Sequence, residues 1–453
     1  MVPADILARR IAALLAAGHW DRPGIVGALD RYLGAALRPD RRSNGDLPAA
    51  LADDILAAQE TPYPPSPAQL AAIIRASARF EPILAAVRRH GGDIGTPLLP
   101  PRFEPVGPLA HLPVPPLATA ADVAAWLGLP LAQLDWLADA RRGHVRAATR
   151  ALQHYDYRWL PKAAGPPRLV EAPKPRLKAV QRRILADILD RLPPHDAAYG
   201  FVRGRSARMA AALHAGERLV VAADLADFFP SVPASRVHAV FRSLGYPAPV
   251  ARLLSGLCAT ATPLAVLDGP APGPPIGWQS RQRLRTPHLA QGAPTSPALA
   301  NLCAYRLDCR LAGLAAAAGA RYTRYADDLT FSGDDGFARR HRSLLAAVAR
   351  IAADEGFALN PRKTRAMGRG RRQRVTGLVV NRHVNVARDD YDRLKAILTN
   401  CVRHGAAAQD RAGHRDFRAH LDGRVSWVEG VNPRRGLKLR RLLESIVWSS
   451  AQT

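Results

Sequence analysis

The chain has 453 residues, which is enough for two or three domains with a sizeable core. It carries 64 Lys and Arg against 38 Asp and Glu, and the resulting formal charge of +26 indicates a polyanionic partner, most commonly nucleic acid. No apolar run approaches the ~18 residues that a membrane span needs, so we expect no membrane partner and a cytoplasmic location. The four cysteines, Cys258, Cys303, Cys309 and Cys401, show no CxxC spacing and have no pair of histidines at the spacing of a zinc site. We therefore expect neither disulfides nor a structural zinc.

The first quarter of the chain predicts a helical N-terminal extension. Residues 1–92 are rich in Ala, Leu and Arg at helical spacing, and they leave open whether the extension binds nucleic acid, a partner protein or the rest of this chain. Residues 93–118 are dense in proline and predict an extended linker. Two short helices should follow, with Thr119 as N-cap and Asp122 at the capping-box position, packing Trp126, Leu134 and Trp136.

Strands and helices mix from Tyr157 onward, which predicts an α+β fold. "KAAGPPRLVEAP" (162–173) indicates a hairpin with a Gly-Pro tip, where Lys162 and Arg168 could both point at phosphates. The further expected elements are a buried strand at 218–225, a helix from about Pro233, a Pro/Gly-rich loop at 263–288, helices at 297–318 and 336–355, strands near 374–386 and a helical basic tail after Asp389.

Three acids stand where these predicted strands end. Asp224 closes the buried strand "RLVVAADL", and Asp327 with Asp328 occupies the expected hairpin tip in "RYADDLTFSG". Aspartate is also a common N-cap and turn residue, which is the plainer interpretation. Because a lone carboxylate at the end of a buried strand is costly, we favour a divalent cation with oxygen ligands, and a pair of such ions suits phosphoryl transfer.

Two further stretches suggest a nucleotide site beside the acids. In "QGAPTSPALANL" (291–302), Gly292 would let a ligand approach the backbone, and Thr295 or Ser296 could cap the following helix. Taken alone this is an ordinary capped helix; next to an acid cluster it predicts the floor under a nucleotide. In "GFALNPRKTRAM" (356–367), Lys363 is either a solvated lysine or a cation or general acid near a leaving pyrophosphate.

Seven motifs in one order resemble those of a bacterial reverse transcriptase, in a variant similar to retron enzymes. They are "LPKAAGPPRLVEAPKPRLKAVQRRIL", "YGFVRGRS", "AADLADFFPS", "QGAPTSPALANL", "YADD", "GFALNPRKT" and "VTGLVVN". The resemblance covers roughly residues 120–445 and implies a right-hand polymerase. Residues 119–223 would form N-terminal helices and fingers, 224–388 the palm with some fingers segments, and 389–445 the thumb.

The resemblance also implies roles for individual residues. The palm carboxylates that hold two Mg²⁺ would be Asp224, Asp327 and Asp328, with Lys363 as the suspected proton donor. Phe229 would be the steric gate that excludes a ribose 2′-hydroxyl and so selects dNTPs. The incoming nucleotide would be gripped by Lys162 and Arg168 and seated on Gln291 and Gly292.

Within reverse transcriptases, the "VTG" and "APTSP" forms favour retrons over group II intron enzymes. The element that reads Asn-Ala-x-x-His in retron enzymes keeps His214 here, but its Asn position is Ala210. The expected RNA-contacting residues are His214, Val375, Thr376, Gly377, Arg434, Arg435, Lys438, Arg440 and Arg441. Trp427 is expected in the thumb core.

A retron enzyme binds its own structured non-coding RNA, starts from a 2′-hydroxyl on it, and copies part of it into a branched RNA–DNA product (msDNA), held as an RNA–DNA hybrid. Such systems resemble phage-defence modules that often include an accessory effector protein. The alternatives are a group II intron-like or abortive-infection-type reverse transcriptase, or a catalytically idle RNA-binding scaffold. Intact Asp224, Asp327 and Asp328 argue against the scaffold.

Overall fold

The computed structural model describes residues 2–16, 20–40, 45–58, 65, 67–90, 102–105, 107–139, 143–146, 149–162 and 165–448. The chain divides into two compact units, residues 1–101 and 102–453. Among the described residues, no helix combines the length and the apolar character needed to cross a bilayer.

The first unit is helical throughout its described residues. Its helices are α1 (Ala4–Ala16), α2 (Arg22–Leu37), α3 (Leu47–Ala57), α4 (Pro67–Ala76) and α5 (Phe80–His90). Asp21 and Asp46 accept hydrogen bonds from backbone N–H groups at the starts of α2 and α3, and each helix has proline in its first turn. One apolar face of each helix turns inward, burying for example Leu7, Leu29 and Ile83 in a core of their own. The expected helical character is confirmed for these residues.

Part of the expected linker packs against the second unit. The Glu104 N–H donates to the Gly245 carbonyl at 3.0 Å, and the Phe103 ring lies 4.8 Å from the ring of Tyr246. The Pro-rich segment is therefore packed on the second unit at residues 103 and 104, because an extended Pro-rich chain can still bury apolar side chains. Residues 93–101 lie outside the described part of the chain.

The second unit combines helices with short strands and one four-stranded sheet, as the α+β prediction required. Its helices are α6 (Ala120–Leu127), α7 (Leu131–Ala138), α8 (Gly143–Arg146), α9 (Pro175–Asp187), α10 (Ala207–Ala212), α11 (Ala234–Ser243), α12 (Ala248–Cys258), α13 (Leu264–Leu267), α14 (Trp278–Arg285), α15 (Ser296–Cys303), α16 (Tyr305–Ala317), α17 (Asp335–Asp354), α18 (Arg388–His404), α19 (Phe417–Val431) and α20 (Pro433–Glu444). Its strands are β1 (Tyr155–Leu160), β2 (Arg168–Pro173), β3 (Leu219–Asp224), β4 (Ala259–Thr260), β5 (His288–Leu289), β6 (Arg321–Tyr325), β7 (Asp328–Gly333), β8 (Arg365–Gly368), β9 (Arg374–Val375) and β10 (Leu378–Val379).

The four-stranded sheet runs in the order β6-β7-β3-β8, and every neighbouring pair is antiparallel. Strand β3 lies inside it and is covered on both faces. Val221 belongs to the main core of the unit, whereas Val220 packs into a second core with the C-terminal helices. Burial on both faces explains why β3 is a continuous apolar run rather than an alternating one.

Several local predictions can be compared with this fold. The capping box at Thr119 and Asp122 is confirmed, since each side chain accepts a hydrogen bond from the other residue's backbone N–H. Leu134 is buried as expected, but Trp136 is 43% exposed, so its placement in the core was wrong. The single helix expected over 297–318 is two helices that meet at Ala304, and the 263–288 loop contains α13 and α14.

Candidate active site

Acidic residues from two neighbouring strands lie together where these strands end, at one end of the sheet. Asp224 at the end of β3 is directly opposite Asp328 at the start of β7 in the strand register. Asp327 lies in the tight turn between β6 and β7, and its carbonyl accepts a 2.9 Å hydrogen bond from the Leu225 N–H. Antiparallel pairing thus brings together two acidic segments that are about a hundred residues apart in the chain.

Buried polar contacts hold this turn from behind. Ala326 has a positive φ of 57°, an uncommon conformation for a residue with a Cβ. The fully buried Arg324 guanidinium donates to the Ala326 carbonyl at 3.1 Å and makes a bidentate ion pair with Asp308. Gly200 leaves room on another side, since a Cβ there would lie 2.4 Å from the Ala326 nitrogen. The acidic turn is therefore fixed by its surroundings.

The charges at this edge are incompletely balanced. Burial, followed by the charges of Asp327 and Asp224, raises the pKa of Asp328 to about 6. Burial and Asp224 likewise raise the pKa of Asp327. The Lys363 ammonium lies 2.6 Å from Asp224 Oδ1. Burial by itself lowers the pKa of Lys363, but the hydrogen bond to Asp224 and the charges of the three acids together exceed that effect, so the pKa is raised. Lys363 and Arg168 are two cations against three acids, which leaves an excess of negative charge.

This donor set fits divalent metal ions. Carboxylate oxygens are what a hard cation prefers, and added positive charge would relieve the repulsion among the three acids. A pair of divalent ions about 3.5–4 Å apart is the arrangement that suits phosphoryl transfer at such a set of acids.

A pocket of about 430 Å³ contains Phe229 and Gly292, two residues expected at a nucleotide site. The Phe229 ring lies 6.0 Å from the ring of Phe201, which is also in the pocket. Ser296 is 1% exposed and lines the same pocket, and its hydroxyl has no hydrogen-bond partner among the described residues. An unpaired buried hydroxyl in an open pocket is suited to a polar ligand.

Glycine is needed at position 292 for a reason other than the expected approach of a ligand. Its φ is +135°, and a Cβ would lie 3.0 Å from the Glu171 carbonyl of β2. The neighbouring Gln291 carbonyl accepts a 2.9 Å hydrogen bond from the Glu171 N–H. The glycine therefore permits close packing of the loop on β2, besides lining the pocket. Of the two residues expected to cap the helix, Thr295 occupies the N-cap position, but neither its hydroxyl nor that of Ser296 makes a capping hydrogen bond.

The β1–β2 hairpin carries the two residues expected to grip phosphates. Arg168 begins β2 opposite Leu160. The pKa of Asp327 is raised overall by burial, and the positive charge of Arg168 is near enough to oppose that rise. Lys162 follows β1 and is exposed. The hairpin thus brings Arg168 within electrostatic range of the acids, while Lys162 is accessible to solvent.

Sequence reasoning missed three residues that line the pocket: Lys178, Arg182 and Phe201. Lys178 and Arg182 are one turn apart on α9, so they lie on the same face of that helix and both are exposed. Lys178 is one of only six lysines in the chain, and its i, i+4 spacing from Arg182 was the available signal.

The comparisons with known proteins agree with this geometry. Residues 160–380 match the family model described as "Reverse transcriptase (RNA-dependent DNA polymerase)". Retron Mx65 reverse transcriptase of Myxococcus xanthus is 43% identical over 334 residues, which cover 74% of this chain and 73% of that protein. The chain belongs to the retron reverse transcriptases.

Other similarities are more distant. Retron Mx162 reverse transcriptase of Myxococcus xanthus is 40% identical, over 71% of this chain and 65% of that protein. Retron Ec86 reverse transcriptase of Escherichia coli is 32% identical, over 60% of this chain and 78% of that protein. A solved foamy viral protease-reverse transcriptase in complex with double-stranded DNA shares 15% identity at a TM-score of 0.33, over 65% of this chain and 44% of that one. As a retron reverse transcriptase, the protein is an RNA-directed DNA polymerase with a right-hand α+β fold.

His214 is inside the protein and not on an RNA-facing surface, so its expected RNA contact was wrong. It is 0% exposed, and its ring nitrogens lie 2.7 Å from Ser332 Oγ and 2.8 Å from Thr323 Oγ1. Burial, with a smaller effect of Arg321, lowers the pKa of His214 to about 3, which keeps the ring neutral. Ala210 is buried too, so the departure at that position is an interior change.

The "VTG" element is a tight hairpin turn between β9 and β10. Thr376 and Gly377 have positive φ values of 48° and 85°, as a type I′ turn requires. Val375 is buried in the second core, so its expected contact with RNA is wrong, while Thr376 donates to the Ala207 carbonyl at 3.1 Å. Gly377 is exposed. The motif therefore has a clear structural role, and only its tip is open to a ligand.

Helix α20 exposes three of its five expected RNA-contacting residues. Arg434, Lys438 and Arg441 are exposed and spaced at i, i+4 and i+7, so they share one face of the helix. Arg440 differs, because it donates to Glu429 at 2.6 and 3.0 Å, and also to Asp422. Arg435 lies over the Tyr391 ring at 5.0 Å. The expected RNA contact of Arg440 is replaced by an ion-pair network within the helical tail.

Trp427 on α19 is also placed differently from the prediction. It is 50% exposed rather than in the thumb core. It lines a groove of about 390 Å³ that also contains Gly377 and Tyr391.

Proposed function

We propose that this enzyme copies part of a cognate structured RNA into DNA that stays joined to the RNA, beginning from an RNA 2′-hydroxyl. The observation that carries the proposal is the meeting of Asp224, Asp327 and Asp328 at one sheet edge, with Arg168 within electrostatic range of Asp327. Membership of the retron reverse transcriptases supports the RNA template, the dNTP substrates and the RNA–DNA hybrid product.

Each chemical task can be given to residues of this chain. Asp224, Asp327 and Asp328 would hold two Mg²⁺ ions, which when bound supply the positive charge that stabilises the attacking and leaving oxygens. Arg168 and Lys162 would hold the triphosphate of the incoming nucleotide through charge-assisted hydrogen bonds. Lys363, positioned by its 2.6 Å contact with Asp224, would meet the leaving pyrophosphate as a cation or proton donor.

Nucleotide selection would take place in the Phe229 pocket. The Phe229 ring is partly exposed there beside Gly292, so its bulk would oppose a ribose 2′-hydroxyl and favour dNTPs. The Ser296 hydroxyl offers a further polar contact, and the Gln291 carbonyl is bound to β2, which fixes the pocket floor. This arrangement supports discrimination by shape rather than by charge.

The RNA would be held by the exposed basic face of α20, where Arg434, Lys438 and Arg441 would contact phosphates. We further propose a role in phage defence with an accessory effector protein, and a cytoplasmic location, on the strength of the resemblance to retron enzymes.

The test is to express the gene with its flanking DNA, purify the protein, and digest the bound nucleic acid with RNase and with DNase. We expect a short DNA covalently joined to RNA, and its absence in an Asp327→Ala/Asp328→Ala variant. An Asp335→Asn variant is the matched control, because Asp335 is exposed on α17 and pairs with Arg218.

Two results would contradict the proposal. RNA without DNA in the unmodified protein would indicate an RNA-binding scaffold. DNA without an RNA link or template would indicate an untemplated polymerase.

A further inference from the structure

A second group of ligand-type side chains lies outside the active site. Asp139, His144 and His154 each place one donor atom within 4.8 Å of the others. His144 and His154 are buried, at 6% and 3% exposure, and the Asp139 side chain is 14% exposed. Asp139 is the C-cap residue that directly follows α7, His144 is in α8, and His154 directly precedes β1.

The two histidines already have hydrogen-bond partners for the ring nitrogens that point away from the cluster. His154 Nε2 lies 2.7 Å from the Trp136 carbonyl, and His144 Nε2 lies 3.1 Å from Thr260 Oγ1. Each ring can therefore donate its Nε2–H outward, which leaves Nδ1 as the nitrogen able to bind an ion. Metal-binding histidines generally donate their other N–H to a carbonyl, carboxylate or water, and this fixes the tautomer and the ring orientation.

The aspartate is held in the same way. Asp139 Oδ1 accepts hydrogen bonds from the backbone N–H groups of Gly143 at 2.6 Å and His144 at 3.2 Å. Its other oxygen, Oδ2, faces His144 Nδ1. Two imidazoles and one carboxylate thus point inward, each fixed from outside by a contact that does not use its inward atom.

We propose that Asp139, His144 and His154 bind one zinc ion, with solvent as the fourth ligand. Two nitrogens and one oxygen match the ligands zinc takes, whereas Mg²⁺ prefers oxygen ligands alone. Tetrahedral zinc at about 2.0–2.2 Å from each donor sets them about 3.4 Å apart, so small side-chain rotations would close the site.

The ion would have a structural role for the fingers. It joins the end of α7 to the residue before β1, and Thr260 connects the cluster to β4. Strand β1 leads directly to Lys162 and pairs with β2, which carries Arg168. The metal would therefore hold the base of the hairpin whose tip is proposed to grip the nucleotide triphosphate, without touching the reacting atoms.

The test measures zinc in the 453-residue chain. The protein is equilibrated with Zn²⁺, dialysed against metal-free buffer and then against buffer containing Mg²⁺, and retained zinc is counted by mass spectrometry. We expect about one zinc per chain, lost in His154→Gln and in Asp139→Asn. His404→Gln, which changes an exposed histidine, and Asp327→Asn, which removes an active-site acid, should both retain it.

Two further measurements keep the test valid if a ligand variant unfolds. Co²⁺ bound to the unmodified protein should show the visible absorption of tetrahedral coordination, and Zn²⁺ should displace it. Thr260→Val, which keeps the three ligands and nearly the same volume, should weaken zinc binding about 10–100-fold.

The zinc proposal fails if the unmodified protein retains no zinc, or if folded His154→Gln and Asp139→Asn retain as much as the unmodified protein. In that case the cluster is a hydrogen-bonded pair of His144 and Asp139 with His154 beside it.

Discussion

The two units of the chain differ sharply in charge. Residues 1–101 contain 11 Lys and Arg against 10 Asp and Glu, whereas residues 102–453 contain 53 against 28. The excess of positive charge therefore belongs almost entirely to the polymerase unit. Long-range attraction for a polyanion should come from that unit, and the N-terminal unit has no comparable electrostatic reason to bind RNA.

Among the described residues, the polymerase unit contains fully buried charged pairs besides its exposed ones, and the N-terminal unit does not. In the N-terminal unit, Arg22 and Asp53 form a pair whose side chains are both more than half exposed. In the polymerase unit, Arg324 pairs with Asp308 and His288 with Glu171 at no more than 1% exposure. Exposed pairs contribute little to stability, and buried pairs need complete hydrogen bonding to be tolerated. Here the buried Arg324 pair is found behind the acidic turn that must be held in place.

The largest expected effect of a single substitution is in the active site. Asp224→Asn should lower DNA synthesis by roughly 10³-fold or more, because it removes a proposed divalent-metal ligand where charge develops. Primer extension on a defined RNA template measures it. Asp53→Asn in the N-terminal unit is the control and should leave the rate unchanged. Comparable losses in both variants would show that the catalytic function is not confined to the polymerase unit.

Truncating a core side chain in one unit should lower the stability of that unit and leave the other unchanged. Leu29→Ala and Leu254→Ala each empty a fully buried site, one in each core, and each should cost about 2–5 kcal/mol of unfolding free energy. Hydrogen exchange read by mass spectrometry should show the loss only in the unit that carries the change. Loss of protection in both units from either variant would mean that they unfold as one cooperative body.

The buried, neutral His214 should make the stability of the polymerase unit fall at acid pH. Because its folded pKa of about 3 is below the unfolded value of about 6.5, its stabilising contribution is present above pH 6.5 and is lost as pH falls. Between pH 7.5 and 5 the difference in unfolding free energy between the unmodified protein and His214→Gln should shrink by about 2 kcal/mol.

Denaturant titrations at both pH values measure this difference. Ser332→Ala is the control, since it removes a partner of His214 but keeps the buried ring, and it should retain the pH dependence. A pH-independent difference for His214→Gln would place the histidine in solvent.

The smallest expected effect concerns RNA binding. Replacing Arg434, Lys438 and Arg441 together by Gln should weaken RNA binding about tenfold and reduce the salt-dependence slope by about 2. Fluorescence anisotropy at several salt concentrations measures both. The matched triple variant in the N-terminal unit, Arg79→Gln/Arg88→Gln/Arg89→Gln, should change neither. A reduced slope in that control would contradict the division of charge between the units.

Motifs were predictable from the sequence where each residue's role depends on its neighbours along the chain. The acids at 224, 327 and 328 were recognisable because they stand at the ends of predicted strands, and the Thr119 capping box because its contacts span three residues. Residues whose surroundings come from distant segments were misjudged. His214 was expected at RNA, but the side chains that surround it come from β6 and β7, more than a hundred residues later.

The sequence alone determined the family, the α+β class, the charge that favours nucleic acid and the positions of the three acids that we propose to be catalytic, because each is visible in composition or in a short contiguous motif. Only the tertiary structure decided that close packing on β2 requires glycine at position 292 and that Arg440 is engaged in ion pairs. It also decided that the donor atoms of Asp139, His144 and His154 lie close together. Burial and partnership are properties of packing, and packing joins residues that local spacing cannot relate.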